Sequence, residues 1–184
     1  MDNLTYENQF YAILEQSGPV GPALRHELKS IIQPQFIKKG KILLAQPYDM
    51  HILLVGMVIK RRDYAEGMYI RSEVLDFIGA NEAIYHMPTE ADSYFQAELD
   101  SVAMLIRQPD IVGIIQRHPR FSEQLNAILS HLLLERTFRG RLINMSSKEK
   151  KEAFRRHYPL ATRYCRIKDI CSFLGINPNT YSGL

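Results

Sequence analysis

Between Arg166 and Leu184 the chain carries side chains whose types and spacing suit contact with nucleic-acid bases. Asn179, Thr180 and Ser182 face outward on a helix that starts at Pro178, and an Asn can meet adenine with two hydrogen bonds. Asn179 is therefore the best single base reader. The surrounding pattern is that of a helix-turn-helix. Ile167, Ile170, Cys171 and Leu174 share one face of a first helix. Gly175 supplies the positive φ that ends this helix, and Ile176 points back inward. Asn177 can cap the second helix, and Pro178 suits its first position, where an N–H would have no partner. Tyr181 and Leu184 return to the buried face. Base-reading side chains of such a motif sit on its second helix. The candidate DNA contacts are Arg163, Arg166 and Lys168, toward phosphates, with Asn177, Asn179, Thr180, Tyr181 and Ser182. The chain ends about two turns into the second helix, so a recognition helix cut short and a weakened DNA grip are expected.

The charge distribution agrees with a polyanion partner for this end. Residues 1–135 hold 12 Lys/Arg against 17 Asp/Glu, whereas residues 136–184 hold 11 against 3. Lys150, Lys151, Arg155 and Arg156 add to that basic field. A basic stretch alone reads as a solvated helix face; here it leads into a helix-turn-helix.

Other chemistry is sparse. There is no Gly-rich phosphate loop, no His-Glu-x-x-His and no Gly-x-Ser-x-Gly, so an enzyme is not expected. Cys165 and Cys171 are too few to hold an iron–sulfur centre and read as reduced core thiols. The six His residues lack metal-type spacing, so neither metal nor cofactor is expected. Apolar content of 46% and charged content of 23% are ordinary for a globular protein. No apolar run is long enough to span a membrane and no signal peptide opens the chain, so a cytoplasmic protein is expected.

The elements that must position the motif follow in order. Residues 4 to about 32 read as two helices broken at Ser17-Gly-Pro and Gly21-Pro. From Gln33 to Arg107 the period becomes that of short strands, with a hairpin around Ala65-Glu-Gly67, one helix-like piece from Asn81 to His86 and a polar loop after it. Several short strands spaced by turns imply an antiparallel roll or sandwich. Helical pattern resumes after Arg107. From about Arg120 to Ile143 it is apolar on two sides, so one side can pack on the roll and the other on a second copy. Leu125, Ile128, Leu129 and Leu132 are the expected dimer seam. Ser146 and Glu149 form a capping-box pattern before a basic helix, and Leu160 to Tyr164 reads as a connector. The expected class is α+β: a jelly-roll-like antiparallel β-roll with N-terminal helices (1–110), connecting and dimerisation helices (111–144) and a helix-turn-helix (145–184).

This order resembles the Crp/Fnr family of bacterial transcription regulators over essentially the whole chain. The resemblance is strongest in Phe154-Arg-Arg-His-Tyr-Pro159 and Ile167-Lys-Asp-Ile-Cys-Ser-Phe-Leu-Gly-Ile-Asn-Pro-Asn-Thr-Tyr-Ser182, which look like the divergent Bacteroidetes-type branch. Phe36-Ile-Lys-Lys-Gly-Lys-Ile-Leu-Leu44 and Gly56-Met-Val-Ile59 are similar to the family's roll. The resemblance implies a cyclic-nucleotide-binding-like roll, a homodimer through the long helix and a winged-helix-like unit on a two-fold operator in double-stranded DNA. Gly183 stands where relatives commonly place Arg. It also implies a ligand pocket at Gly79, Asn81, Glu82, Ala91 and Asp92, where cAMP-binding members carry Gly-Glu and, about ten residues on, Arg with Ser/Thr. Here Asn81-Glu82 replaces Gly-Glu, and no Lys or Arg occurs between Arg71 and Arg107. Glu90 and Asp92 have the wrong sign for a phosphate. One such contact at about 4 Å and an effective dielectric of ~20 costs about 4 kcal/mol, enough to erase micromolar binding. cAMP is therefore not the expected effector, and any other small ligand is unidentified. The alternative to a DNA-binding regulator is a dimeric roll protein with a vestigial helix-turn-helix that acts through protein contacts.

Overall fold

Short strands, the central ones buried on both faces, build the centre of the molecule. The computed structural model describes residues 3–87 and 92–183. Its strands are β1 (Gln33–Ile37), β2 (Ile42–Leu43), β3 (Met50–Val55), β4 (Met57–Glu66), β5 (Tyr69–Gly79), β6 (Ala83–Tyr85), β7 (Ser93–Ala97) and β8 (Ser101–Ile106). They form two antiparallel sheets, ordered β1-β8-β3-β6 and β2-β7-β4-β5. Leu53, Val58, Ile84, Phe95 and Ala103 fill the space between them. Met50, Ile52 and Leu54 point the other way along β3, as the period-two pleat requires. They meet Phe10, Leu14, Leu24 and Leu28 of the lid helices α1 (Asn3–Glu15) and α2 (Pro22–Ile31). Gly56 turns the chain from β3 into β4 at φ +95°, where a Cβ would collide with Ser101 and the Asp100 carbonyl.

Helices α3 (Gln108–Arg117) and α4 (Phe121–Leu142) follow. The first half of α4 buries Phe121 and Ile128 in the lid core; its second half buries Phe138 and Leu142 in a separate core. Beyond it come α5 (Ser147–His157), α6 (Pro159–Tyr164), α7 (Ile167–Leu174) and α8 (Pro178–Ser182). Among the described residues no helix is long and apolar enough to cross a membrane.

Two expectations need correction. The piece from Asn81 to His86 is not helical: Ala83–Tyr85 pairs with the edge of β3, after a turn in which Asn81 takes φ +72°. The Asn81 N–H donates to the Leu53 carbonyl at 2.7 Å and the Leu53 N–H to the Glu82 carbonyl at 2.9 Å, so the open edge of β3 overrides the local pattern. Leu160 to Tyr164 is not a connector but most of α6, which starts with Pro159 at its first position. Of the four residues of the expected dimer seam, three are part-buried within the chain. Ile128 is buried, and Leu125 and Leu132 pack against the same lid core, while Leu129 is half-buried. The large apolar residues of α4 left in water are Leu133 and Leu134, 63% and 66% exposed.

His51 lies on the inward face of β3 with no exposed surface, its Nε2 within 3.2 Å of the Gln35 Oε1 and its Nδ1 without a partner. Burial pulls its pKa down to about 4; the Asp49 charge opposes this and His86 reinforces it. A depressed pKa on a cationic acid means that the unfolded chain takes up the proton first. The contribution is therefore intact above the unfolded value of about 6.5 and is lost as pH falls toward about 4. It amounts to about 3 kcal/mol. Urea unfolding at pH 7 and pH 4 should show a larger acid loss for the native protein than for His51→Gln. Equal losses would remove His51 from this role.

Candidate nucleic-acid interface

The helix-turn-helix is built as its residues dictate. Ser146 caps α5: its Oγ accepts from the Glu149 N–H, and the Glu149 carboxylate accepts from the Ser146 N–H at 2.8 Å. Gly175 ends α7 in the left-handed region at φ +63°, and its N–H reaches the Cys171 carbonyl. The Asn177 Oδ1 accepts from the Asn179 N–H at 2.9 Å and caps α8. Phe154, Ala161, Ile170, Cys171, Phe173, Leu174 and Ile176 are buried in one core. Burial pushes the Cys165 thiol up to about 12 and raises that of Cys171, so both stay protonated at neutral pH.

Seven of the eight expected DNA contacts are exposed: Arg163, Arg166, Lys168, Asn177, Asn179, Thr180 and Ser182. Asn177 already spends its side-chain oxygen on the α8 cap. Tyr181 lies on the buried face, 7% exposed, and is corrected out of the DNA contacts. The Lys151 Nζ sits 4.5 Å from the centre of its ring and donates to its carbonyl at 2.8 Å. That engagement takes Lys151 out of the free basic field, whereas Lys148, Arg155 and Arg156 stay exposed. Leu184 lies outside the described residues.

The unit does not stand apart from the roll. Its core is continuous with Met57, Ile59, Val74 and Phe77 of β4 and β5. The Phe77 ring contacts those of Phe154, Tyr158 and Phe173 at 5.2, 5.5 and 5.3 Å between centroids. β5 is the outer strand of its sheet, and α7 covers part of its edge: the Val74 N–H donates to the Ser172 Oγ at 3.0 Å. β5 also carries an extra residue, Leu75, between the Lys60–Asp76 and Arg61–Val74 pairs. Beside this bulge, Arg61 donates through both terminal nitrogens to the Asp169 carboxylate, at 2.9 and 3.1 Å. Both side chains are nearly buried, and the Arg61 Nε adds a bond to the Gln96 Oε1 at 3.0 Å. Burial works against the Arg61 charge, but the hydrogen bonds and charge of Asp169 outweigh it and its pKa is raised. On the other side of the bulge the Tyr158 O–H donates to the Asp76 Oδ1 at 3.0 Å.

Sequence reading missed all three links. Lys60-Arg61-Arg62 looks like an ordinary solvated run, and only the scarcity of acids after residue 135 singles out Asp169.

The expected ligand pocket is also redirected. The Glu82 carboxylate folds back to accept from the Gly79 N–H at 2.9 Å, and the Asn81 Oδ1 accepts from the Gln9 amide at 3.3 Å. Asp92 is exposed, and Ala91 and Glu90 lie outside the described residues. The cavity beside Glu82 measures about 30 Å³, room for roughly one water. Among the described residues no cluster of three or more His, Cys, Asp or Glu could hold a metal ion.

No protein-family model matches the chain, and no curated protein matches it in sequence. Solved structures do match in shape. A Crp/Fnr-family protein from Eubacterium rectale superposes with a TM-score of 0.69 at 13% identity, over 92% of this chain and 85% of that one. FixK2 from Bradyrhizobium japonicum gives 0.67 at 14% identity, over 83% and 82%. The fold is that of the Crp/Fnr regulators. A cyclic nucleotide-binding domain containing protein from Listeria monocytogenes shares it, with a TM-score of 0.65 at 8% identity over 95% and 87%.

Removing one partner of a buried ion pair strands the other charge, at a cost of about 3–5 kcal/mol. Arg61→Ala should lose that much in urea denaturation, whereas Arg61→Met with Asp169→Leu should recover most of it. A loss below about 1 kcal/mol for Arg61→Ala would show that the pair is solvated in solution.

Proposed function

We propose that this protein is a homodimeric, sequence-specific DNA-binding transcription regulator of the Crp/Fnr type, bacterial and cytoplasmic. The observation that carries the reading is the buried helix-turn-helix core, with Asn179, Thr180 and Ser182 turned outward from α8 beside exposed Arg163, Arg166 and Lys168. Asn179 reads a base edge. The cations hold the duplex backbone through counterion release, which gives affinity without sequence information. The chemistry is binding rather than catalysis.

The reading includes a second copy on α4. Leu133 and Leu134 expose apolar surface on the helix that carries both cores, and a two-fold pair of such helices would space two α8 helices on a palindromic site. It also includes indifference to cAMP. The stretch from residue 72 to 106 has no Lys or Arg to meet a cyclic phosphate, and Glu82 is engaged by Gly79.

Fluorescence anisotropy against the promoter DNA upstream of its own gene tests the core of the proposal. Three phosphate contacts per protomer predict an affinity loss of about a thousandfold between 50 and 200 mM salt. Asn179→Ala should weaken the specific site by about tenfold and leave nonspecific DNA unchanged. Leu134→Glu should give a monomer in sedimentation velocity. Millimolar cAMP should change neither measurement. A stable dimer with no salt-dependent DNA affinity would instead favour a roll protein acting through protein contacts.

A further inference from the structure

α8 is five residues long, and a helix that short does not hold its own shape in water. How it sits is therefore set by the rest of the unit. Its seating matters for reading bases. Tyr181 is the one residue of α8 that enters the core, and Asn179, Thr180 and Ser182 point away from it. A small rotation of α8 would turn those three side chains off a common target.

The two ends of α8 are tied in different ways. At the start, the Asn177 Oδ1 caps the Asn179 N–H, and the Ile176 N–H donates to the Cys171 carbonyl at 3.1 Å, so the entry is fixed from α7. At the far end the helix lacks such devices of its own. Its last turn carries no basic residue, and Gly183 stays right-handed at φ −83°, so the left-handed closure of Gly175 is not repeated. The Tyr181 carbonyl belongs to the acceptors that a helix end leaves without an intrahelical partner. Lys151 of α5 meets it: its Nζ donates to that carbonyl at 2.8 Å. The same ammonium lies 4.5 Å from the centre of the Tyr181 ring. One cation thus holds both the ring and the carbonyl of the residue that anchors α8.

We propose that Lys151 is a positioning residue for base recognition: it fixes the seating of α8 through Tyr181 and so controls sequence specificity, without being a phosphate contact itself. The proposal rests on the DNA-binding reading above.

Lys151 reaches out from a rigid base. It stands three residues before Phe154, on the same side of α5, and Phe154 has no exposed surface. The capping box at Ser146 closes the start of the same helix. Lys148, Arg155 and Arg156 of α5 are exposed, whereas Lys151 is half-buried with its charge turned inward. To reach a phosphate it would have to give up the carbonyl and the ring together.

The two roles of a lysine differ in what they do to binding. A phosphate contact releases counterions and adds affinity for every sequence. A hold on α8 acts only where α8 must meet particular base edges, as when Asn179 makes two hydrogen bonds to one adenine. Loss of the hold therefore falls on the specific complex and spares the nonspecific one, which follows the duplex backbone.

Anisotropy titrations of the native chain, Lys151→Met and Lys151→Arg test this, on the promoter duplex and on a scrambled one across a range of salt. Met keeps the length of the side chain and loses the donor and the charge; Arg keeps a cation for the ring and an N–H for the carbonyl. Lys151→Met should weaken the promoter duplex by about tenfold, leave the scrambled duplex within about twofold and keep the native salt slope. Lys151→Arg should recover most of the loss. An equal loss on both duplexes, with the salt slope reduced by about 0.9, marks a phosphate contact and overturns the proposal. Native-like promoter affinity in Lys151→Met overturns it as well. Amide hydrogen exchange without DNA separates the hold from the DNA-binding reading. The Tyr181 and Gly183 amides, which donate to the Asn177 and Asn179 carbonyls, should lose about tenfold in protection in Lys151→Met while α7 keeps its own. Unchanged protection of those two amides sinks the hold itself; a native chain that prefers no sequence sinks the DNA-binding reading and the recognition role with it.

Discussion

The bidentate pair of Arg61 with Asp169 joins residues 108 positions apart inside a nearly dry seam. Such a pair contributes little net stability, because desolvating two charges costs about as much as their attraction returns. What it contributes here is geometry. An apolar seam alone could slide, and many small shifts would cost little. With the pair in place, only one seating of α7 on β4 satisfies both charges. The apolar contribution comes from elsewhere: Phe77, Phe154, Tyr158 and Phe173 pack on one another in edge-on and tilted contacts.

The bulge at Leu75 makes this seat possible. It shifts the β4–β5 register between Lys60 and Arg61, so Asp76 and Val74 can both serve the helical unit. Asp76 takes the Tyr158 hydroxyl and Val74 finds Ser172. An outer strand that would otherwise offer bare N–H groups to any neighbour is thereby partly sealed by the chain's own helix. α4 completes the frame. Its first half belongs to the lid core and its second half to the seat, so a displacement of the lid is felt at Phe138 and Leu142. Leu133 and Leu134 are the most exposed apolar residues of α4, and neither core uses them.

Several features were legible in the residues because they depend on local chemistry. The capping box at Ser146, the left-handed Gly175 and the Asn177 cap all follow from short-range hydrogen bonding and glycine's missing Cβ. The strands and the antiparallel roll follow from period-two alternation. Asn81 to His86 was misread because its local pattern is weak and the pairing partner, β3, lies thirty residues away in sequence. The division of α4 between its neighbours was not legible for a related reason. Helical spacing shows that α4 has two apolar faces, but not which neighbour covers each one.

The sequence by itself determined the class of fold, the order of its elements and the outward residues of α8, since these rest on periodicity, capping and charge along the chain. Only the tertiary structure decided that Glu82 turns inward to Gly79 and that Arg61 and Asp169 are partners. The physical reason is the same in each case. Burial sets the worth of a polar or charged side chain, and burial is a property of what distant segments bring to it.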